Sequence, residues 1–383
     1  MPATNIVFAK KRVQCLTKVQ VFFIALVLKL MEVHFKPLLR KYFSVTSNFK
    51  TIKTNIMSKI LSIFNNKGGV GKTTYMFHIA HLLSRPPHNK RVLIVDCDSQ
   101  CNVTSYSLNE TDIQNSWQQG GNSIFRVIEP IYEGIGDFAQ ISPTQIANNL
   151  YLVPGDLNLS LYEDRLGDTW NSAKGGSRPD IRIQTAIFRY INWCVQELNI
   201  DLVLIDLGPN LGALNRTLIS SSDLFITPLA SDLFSLKGTE NLGNKLLAWA
   251  SEWNQIRNAY NATDIAIPNG TPKFLGYVIQ QHNIRDNATG MTRGWQIFAD
   301  QIAPTIMTNI VNKLVPLSQV VIRTDYNLGQ IPNFHSLIPY SLNARKPVFD
   351  CTSRDGLTGA HITSARESVN HFTGIVNTIN AEI

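Results

Sequence analysis

The residues with the clearest chemical potential form one short run, "NKGGVGKTT", from Asn66 to Thr74. It ends in the Gly-Lys-Thr order of a phosphate-binding loop, whose backbone N–H groups point inward at phosphate oxygens. In this interpretation Lys72 reaches the β- and γ-phosphates, Thr73 ligates Mg²⁺ and Thr74 bonds a nearer phosphate. The plain pattern is broken, because Asn66 replaces the first glycine and an additional lysine, Lys67, precedes the paired glycines.

Such a run binds phosphate only when a strand leads into it and a helix leads out of it. The apolar segment 59–64 predicts a buried strand, and the apolar spacing after Lys72 predicts a helix. That helix would present its positive N-terminal end to the anion. The predicted nucleotide contacts are therefore Lys67, Gly68, Gly69, Val70, Gly71, Lys72, Thr73 and Thr74.

Three aspartates follow apolar runs that have the character of buried strands. Asp96 and Asp98 end the segment "RVLIVDCD", and Asp206 ends the run "LVLID". An acid that follows an apolar strand beside a phosphate loop is placed to hold Mg²⁺. We expect Thr73, Asp96 and Asp206 to form the Mg²⁺ site, the two acids acting through water. The alternative for Asp206 is a cap on the helix near residue 212.

The elements that must position these residues alternate between strand and helix. This alternation predicts an α/β fold with a mostly parallel, doubly wound sheet that has helices on both faces. We expect one domain over residues 57–383. Strands are predicted at 59–64, 91–98, 149–155, 201–206, 223–230 and 273–281, and helices at 72–85, 181–198, 238–256, 294–314 and within 357–380.

The net charge of +7 is unevenly distributed along the 383 residues. The first 56 residues hold ten Lys or Arg against one acidic residue, a charge of +9, which leaves −2 for residues 57–383. We interpret residues 1–56 as upstream translation or a dispensable extension, with Met57 as the natural start. The alternative is a membrane-surface or targeting arm, since the segment contains a short apolar core, "VFFIALVL".

The five cysteines include no CxxC pair and no spacing typical of a metal site or a disulfide framework. This pattern indicates reduced thiols and a cytoplasmic protein. The C-terminal stretch "ARESVNHFTGIVNTINAEI" lacks the basic face of a membrane-binding helix, so we expect no membrane partner.

Three motifs together resemble the ParA/Soj/MinD ATPases and are closest to the ParA/Soj partition ATPases. "KGGVGKTT" is similar to their deviant Walker A motif, "RVLIVDCDSQCNVT" to their second strand, and "DLVLIDLGPNLG" to their Walker B and switch segment. The resemblance covers nearly everything from Met57 to the C-terminus. It implies a P-loop NTPase fold, ATP and Mg²⁺ as ligands, and a weak, partner-stimulated ATP hydrolase.

The resemblance also assigns roles to catalytic residues. It implies that Lys67 reaches across an ATP-bound homodimer to the nucleotide of the partner, where a cation offsets the charge of the γ-phosphate. It implies that Asp98 orients the attacking water, and Lys72 completes the catalytic set. It places Gln281, in "VIQQHNIR", and Pro332, in "GQIPNF", beside the adenine.

Partners are implied in the same way: a ParB-like stimulator and DNA bound without sequence preference, hence a nucleoid-associated protein in plasmid or chromosome partitioning. Backbone binding of DNA requires Lys and Arg side chains. Candidates are Arg323, Arg345, Lys346 and Arg354, and a solvated basic face is the alternative for these four. The alternative function is a dimerising ATPase switch in signalling, defence or positioning, without DNA cargo.

Overall fold

The structure is a computed structural model that describes residues 58–282 and 293–383, apart from the side chains of residues 281–282 and 293–296. The predicted extension over residues 1–56 lies outside the described residues. Within them, no helix combines the length and the apolar character that crossing a membrane requires.

An eight-stranded sheet forms the centre of the described chain, in the order β3-β4-β2-β5-β1-β6-β7-β8. All neighbouring strands are parallel except β3 and β4, which are antiparallel. The predicted α/β fold with a mostly parallel sheet is confirmed. The strands are β1 Lys59–Ile63, β2 Val92–Cys97, β3 Thr144–Ala147, β4 Leu150–Val153, β5 Leu202–Leu207, β6 Leu224–Ala230, β7 Lys273–His282 and β8 Asn327–Pro332.

Helices cover both faces of the sheet. They are α1 Lys72–Ser84, α2 Asn102–Ser107, α3 Glu110–Trp117, α4 Ile124–Tyr132, α5 Leu159–Lys174, α6 Arg178–Gln184, α7 Ala186–Leu198, α8 Ala213–Ser220, α9 Leu233–Ala259, α10 Arg293–Ile306, α11 Asn312–Leu314, α12 Leu337–Ala344, α13 Ala360–Glu367 and α14 Asn370–Ala381. A π-helical turn, Met307–Val311, joins α10 to α11, and 3₁₀ turns lie at Val315–Leu317, Val348–Asp350 and Ser353–Asp355.

The predicted helix over residues 181–198 is divided at Thr185 into α6 and α7. Two contacts account for the break. The Tyr162 hydroxyl donates to the Ile183 carbonyl, and the Gln184 amide donates to the Leu166 carbonyl. These two hydrogen bonds tie the end of α6 to α5, a tertiary contact that helical periodicity does not reveal.

Each face of the sheet carries its own hydrophobic layer, because successive strand residues point to opposite sides. Along β1, Ile60 belongs to the layer that contains Trp249 of α9. Its neighbour Leu61 belongs to the layer that contains Phe77 of α1 and Phe372 of α14. Fully burying one such side chain contributes about 1.5–3 kcal/mol. The two layers fix β1 between β5 and β6 and thereby fix the loop that follows it.

Strand register places the acidic residues at one edge of the sheet. Asp206 of β5 pairs with Ile63 of β1 on one side and with Asp96 of β2 on the other. The carboxyl ends of parallel strands form the edge at which open α/β sheets bind ligands. The phosphate loop and the aspartates therefore meet at this edge.

Candidate functional site

The loop between β1 and α1 borders a cavity of about 410 Å³ whose lining includes residues 68–74. Gly69 and Gly71 have φ values of 71° and 80°, in the left-handed region that favours glycine. Asn65, which is buried, holds the start of the loop: its amide nitrogen donates to the Pro228 carbonyl, and its oxygen accepts from the Lys67 N–H. Asn65 thereby fastens the loop to β6.

Lys72, the first residue of α1, lies under the loop with 7% of its surface exposed. Its ammonium donates to the carbonyls of Asn65, at 3.4 Å, and Lys67, at 3.3 Å. Burial lowers the pKa of Lys72, and the charges of Asp206 and Asp98 oppose that effect. These hydrogen bonds are long, so the ammonium is available to a stronger acceptor such as a phosphate oxygen.

The Thr73 hydroxyl donates to Oδ2 of Asp206 at 2.9 Å. Asp206 is fully buried, and burial raises the pKa of its carboxyl. Its other oxygen, Oδ1, has no hydrogen-bond partner among the described residues. A buried carboxylate oxygen without a partner costs free energy, and a hydrated cation would satisfy it. Thr73 and Asp206 therefore fit a Mg²⁺ ion held partly through water.

Asp96 lies beside Asp206, but both of its oxygens are already engaged. Oδ2 accepts from the N–H and the hydroxyl of Thr104, at 3.0 and 2.6 Å, and Oδ1 accepts from the Asp98 N–H at 3.2 Å. Burial and the neighbouring Asp206 raise the pKa of Asp96. Through these hydrogen bonds Asp96 anchors the turn that leads into α2. Its expected part in binding Mg²⁺ stays a prediction.

Asp98 borders the phosphate cavity together with Pro209. Its Oδ1 accepts from the Gln100 N–H at 3.0 Å, and Gly208 lies so near that an added Cβ would be 3.3 Å from this oxygen. Gly208 and Pro209, which belong to the predicted switch segment, therefore lie next to Asp98, the predicted water-orienting acid. The role of Asp98 with water stays a prediction.

Lys67 forms an ion pair within its own chain. Its ammonium lies 2.5 Å from Oδ2 of Asp232, and the two side chains are 35% and 30% exposed. Asp232 also caps α9 by accepting from the Ser235 N–H. Burial tends to raise the pKa of Asp232, but the hydrogen bonds from Lys67 and Ser235 outweigh it and lower the pKa. The expected contact of Lys67 with a partner's nucleotide stays a prediction.

Thr74 has contacts on both sides. Its hydroxyl lies 3.2 Å from the Tyr106 hydroxyl, and its carbonyl accepts from Nδ1 of His78 at 2.6 Å. Nε2 of His78 accepts from the Val348 N–H at 2.9 Å, and the ring stacks on Phe372. His78 therefore links the phosphate helix to the segment after α12.

Substitution of His78 by glutamine should change the acid sensitivity of the fold. Burial lowers the pKa of His78 to about 4, against about 6.5 in an unfolded chain. The stabilisation from neutral His78 is thus present above pH 6.5 and is lost as the pH falls toward 4, by up to about 1.4 kcal/mol per pH unit. The free energy of unfolding, measured by chemical denaturation between pH 4 and 8, should depend less steeply on pH in His78→Gln than in the parent chain.

The same variant should unfold about 1–3 kcal/mol more easily at pH 8, because Thr74 or Val348 loses a buried hydrogen-bond partner. His361→Gln, an exposed position on α13, is the matched control. If the free energy of unfolding of His78→Gln depended on pH as steeply as that of the parent chain, His78 would not be the source of the acid sensitivity.

The two predicted base contacts differ in how much of each residue the structure describes. Pro332 lines a small cavity next to Thr74. Gln281 lies in β7, but its side chain is outside the described part of the chain. Its neighbour Gln280 lines the same cavity as Pro332. The base-binding roles of Gln281 and Pro332 stay predictions.

The candidate DNA contacts lie in the part of the sequence between β7 and α13, where Arg345, Lys346 and Arg354 are exposed and Arg323 is half-buried. Lys346 pairs with Asp355 at 2.8 Å, and Arg323 donates to the Asp325 carbonyl. Arg345 adopts a left-handed φ of 51° at the end of α12, and Arg354 is exposed. An acidic neighbour offsets the charge of Lys346, and the DNA role of all four residues stays a prediction.

Sequence reasoning missed several residues that shape the site. Their signals are weak because each acts through a partner far along the chain: Asn65 with Pro228, Thr104 with Gly155, and Lys67 with Asp232. The residues concerned are Asn65, Thr104, Tyr106, Asp232 and Gln280.

Comparison with known proteins identifies the family of the chain. A family model described as an AAA domain matches residues 58–257. The sporulation initiation inhibitor protein Soj of Bacillus subtilis is 28% identical over 189 residues, which are 49% of this chain and 64% of Soj. A ParA family protein of Mycoplasma pneumoniae is 28% identical over 47% of this chain and 61% of that protein. The chain thus spans less than two thirds of either relative.

Solved structures share the fold. Protein DIP2308 from Corynebacterium diphtheriae has a TM-score of 0.60 and 26% identity, covering 75% of this chain and 97% of that protein. An aspartate-to-alanine variant of Cyanothece McdA in complex with ATP has a TM-score of 0.53 and 14% identity, covering 82% of this chain and 96% of that chain, a likeness of fold alone. Together with the phosphate loop and its aspartates, these matches place the chain in the ParA/Soj-type family of P-loop ATPases.

Proposed function

We propose that the chain is a Mg²⁺-dependent ATP hydrolase that forms a homodimer when ATP is bound. The observation that supports this most directly is the Thr73–Asp206 pair beneath the loop, with one buried carboxylate oxygen left without a partner in the described chain. Bound Mg²⁺ would neutralise charge on the phosphates. Thr73 and Asp206 are the residues that would hold it.

The chain's own residues supply positioning and charge. The Lys72 ammonium donates hydrogen bonds to the β- and γ-phosphates, and the backbone N–H groups of residues 68–74 donate to the other phosphate oxygens. Asp98 orients a water for attack on the γ-phosphate, since one of its oxygens is held by the Gln100 N–H. In the dimer Lys67 leaves Asp232 and donates to the partner's nucleotide.

We propose that this ATP cycle gates the binding of DNA and of a ParB-like stimulator in plasmid or chromosome partitioning. The support is the family and the similarity to Soj and to a ParA family protein. Arg323, Arg345, Lys346 and Arg354 would contact the DNA backbone. A cytoplasmic, nucleoid-associated location follows from that binding.

The second candidate is an ATP-dependent switch in signalling, defence or positioning that carries no DNA. Two observations favour it: residues 57–383 have a net charge of −2, and Asp355 offsets Lys346. Sedimentation with DNA at low salt separates the candidates. Co-sedimentation of the protein with DNA in ATP but not in ADP supports partitioning, whereas no co-sedimentation with either nucleotide supports the switch without DNA cargo.

Substitution of Asp206 by asparagine tests the Mg²⁺ site. We expect the affinity for ATP in the presence of Mg²⁺ to fall about 10–100-fold, because a carboxylate that holds the metal through water is lost. Binding of ATP in EDTA should change much less. Isothermal titration calorimetry with and without Mg²⁺ measures both affinities.

The matched control is Asp201→Asn, at the opposite end of β5, where the carboxylate accepts from the Arg91 N–H. It alters a similar contact far from the phosphate loop and should leave the Mg²⁺ dependence unchanged. Equal losses of affinity with and without Mg²⁺ in Asp206→Asn would argue against the proposed site.

A further inference from the structure

The turn between β5 and α8, residues 208–212, lies beside the phosphate cavity and beside a second cavity of about 340 Å³. Pro209 and Asp98 line both cavities. Gly208 approaches Asp98 so closely that an added Cβ would lie 3.3 Å from Oδ1. A Cβ added to Gly68 of the phosphate loop would lie 3.8 Å from Cγ of Pro209. The turn therefore contacts both the predicted water-orienting acid and the loop expected to hold the phosphates.

A buried amide holds this turn from beneath. Asn215 of α8 is 1% exposed, and its Nδ2 donates to the carbonyls of Gly208, at 2.8 Å, and Asn210, at 2.7 Å. The side-chain oxygen of Asn210 lies 2.9 Å from the same nitrogen and accepts from the Gly212 N–H at 3.0 Å. Pro209 and Asn210 are themselves exposed. An interior side chain thus fixes a turn whose outer side faces solvent.

The chemistry of a carboxamide suits this position. Its nitrogen carries two hydrogens, which serve two carbonyl acceptors at once, and the two carbonyls set the orientation of the amide. Gly208 is buried, so without the donor its carbonyl would lose a partner in a place that water reaches poorly. We expect the turn to move outward to solvent in that case, which takes Gly208 and Pro209 away from Asp98.

We propose that Asn215 is a positioning residue for ATP hydrolysis, an inference that rests on the proposed function. By holding Gly208 and Pro209 against Asp98 and the phosphate loop, it fixes the place in which the acid orients the attacking water. Placement of the reacting groups supplies much of the rate of phosphoryl transfer. The Nδ2 contacts of Asn215 go to the turn and not to the residues expected to bind phosphate or Mg²⁺, so the binding of ATP does not depend on them.

The test is Asn215→Leu, which keeps a side chain of similar size and removes both donors. We expect kcat for ATP hydrolysis to fall about tenfold, because a reacting group misplaced by about 1 Å costs up to about 10²-fold in rate. KM and the affinity for ATP with Mg²⁺ should change less than about twofold, as for an interaction that matters only in the transition state. Phosphate release at varied ATP concentrations gives kcat and KM, and isothermal titration calorimetry gives the affinity.

Thr217→Val is the matched control. Thr217 also lies on α8 and is 4% exposed, but its hydroxyl contacts the side-chain oxygen of Gln184 at 3.2 Å and not the turn. This variant should lower the melting temperature about as much as Asn215→Leu and keep the kcat of the parent chain. An equal fall of kcat in both variants, a parent-like kcat in Asn215→Leu, or a loss of ATP affinity as large as the loss of kcat would overturn the inference and leave the proposed hydrolysis intact.

A second variant decides the matter if Asn215→Leu fails to fold. Asn210→Ala, at an exposed position, removes one acceptor of the Asn215 amide and the partner of the Gly212 N–H. Its kcat should fall about threefold, with KM unchanged. A parent-like kcat in Asn210→Ala would then overturn the inference. A parent chain that hydrolyses no ATP would overturn the proposed function together with the inference.

Discussion

Replacement of Lys72 by alanine is expected to reduce ATP hydrolysis about 10²–10³-fold, the usual effect of removing one donor to the developing charge. Lys72 is a buried cation under the loop, with 7% of its surface exposed, and burial lowers its pKa. Its present acceptors are two carbonyls at 3.3 and 3.4 Å, contacts too long to contribute much stability. Phosphate release from ATP, with and without candidate stimulators, measures the effect.

The same reasoning predicts that Lys72→Ala remains folded without nucleotide, with a melting temperature within a few degrees of the parent. Lys245→Ala, an exposed lysine on α9, is the matched control and should hydrolyse ATP normally. If Lys72→Ala retained full hydrolysis, the phosphate-loop assignment would be wrong. If it failed to fold, nucleotide binding by Lys72→Arg, which retains a positive charge, would provide the comparison.

Much of the fold was predictable because it depends on local patterns. The apolar runs of β1, β2, β5 and β6 are buried throughout or nearly so, as parallel strands covered on both faces require. Each of the three predicted aspartates follows or ends such a run. Their meeting at one edge follows from parallel strands, which bring their carboxyl ends together.

The details of the site depend on contacts that local patterns do not contain. Sequence reasoning assigns both Asp96 and Asp206 to Mg²⁺ and offers no basis for separating them. In the structure the N–H and the hydroxyl of Thr104 engage Asp96, whereas Oδ1 of Asp206 has no hydrogen-bond partner within the described part of the chain. The Lys67–Asp232 pair joins residues 165 positions apart, a spacing that no motif reports.

The strength of the Lys67–Asp232 ion pair determines how readily Lys67 can leave its own chain for a partner's nucleotide. A one-third exposed ion pair contributes about 0–1 kcal/mol, so Lys67 is held in place but is not trapped. A triphosphate carries more negative charge than one carboxylate and is the stronger attractor for an ammonium. Release of Lys67 from Asp232 is therefore a small cost within the proposed dimerisation step.

Lys67→Ala should abolish the ATP-dependent dimer, because the cation that would offset the partner's γ-phosphate is removed. Analytical ultracentrifugation with ATP and with ADP measures this directly. We expect the parent chain to be dimeric with ATP and monomeric with ADP, and Lys67→Ala to be monomeric with both. A dimer that persists in Lys67→Ala would contradict the role of Lys67 at the interface. A parent chain that stays monomeric in ATP would contradict the proposed dimer.

Asp232→Asn should have the opposite effect and is the sharper variant. Asparagine caps a helix as well as aspartate does, so the hydrogen bond with the Ser235 N–H and the start of α9 are retained. What is lost is the charge that holds Lys67 within its own chain. Each protomer releases one such ion pair, so at most about 2 kcal/mol per dimer no longer has to be overcome, and the dimer should form at up to about thirtyfold lower protein concentration. Weaker dimerisation in Asp232→Asn would instead mean that Asp232 positions Lys67 for its partner, and the ion pair would be part of the dimer rather than a competitor to it.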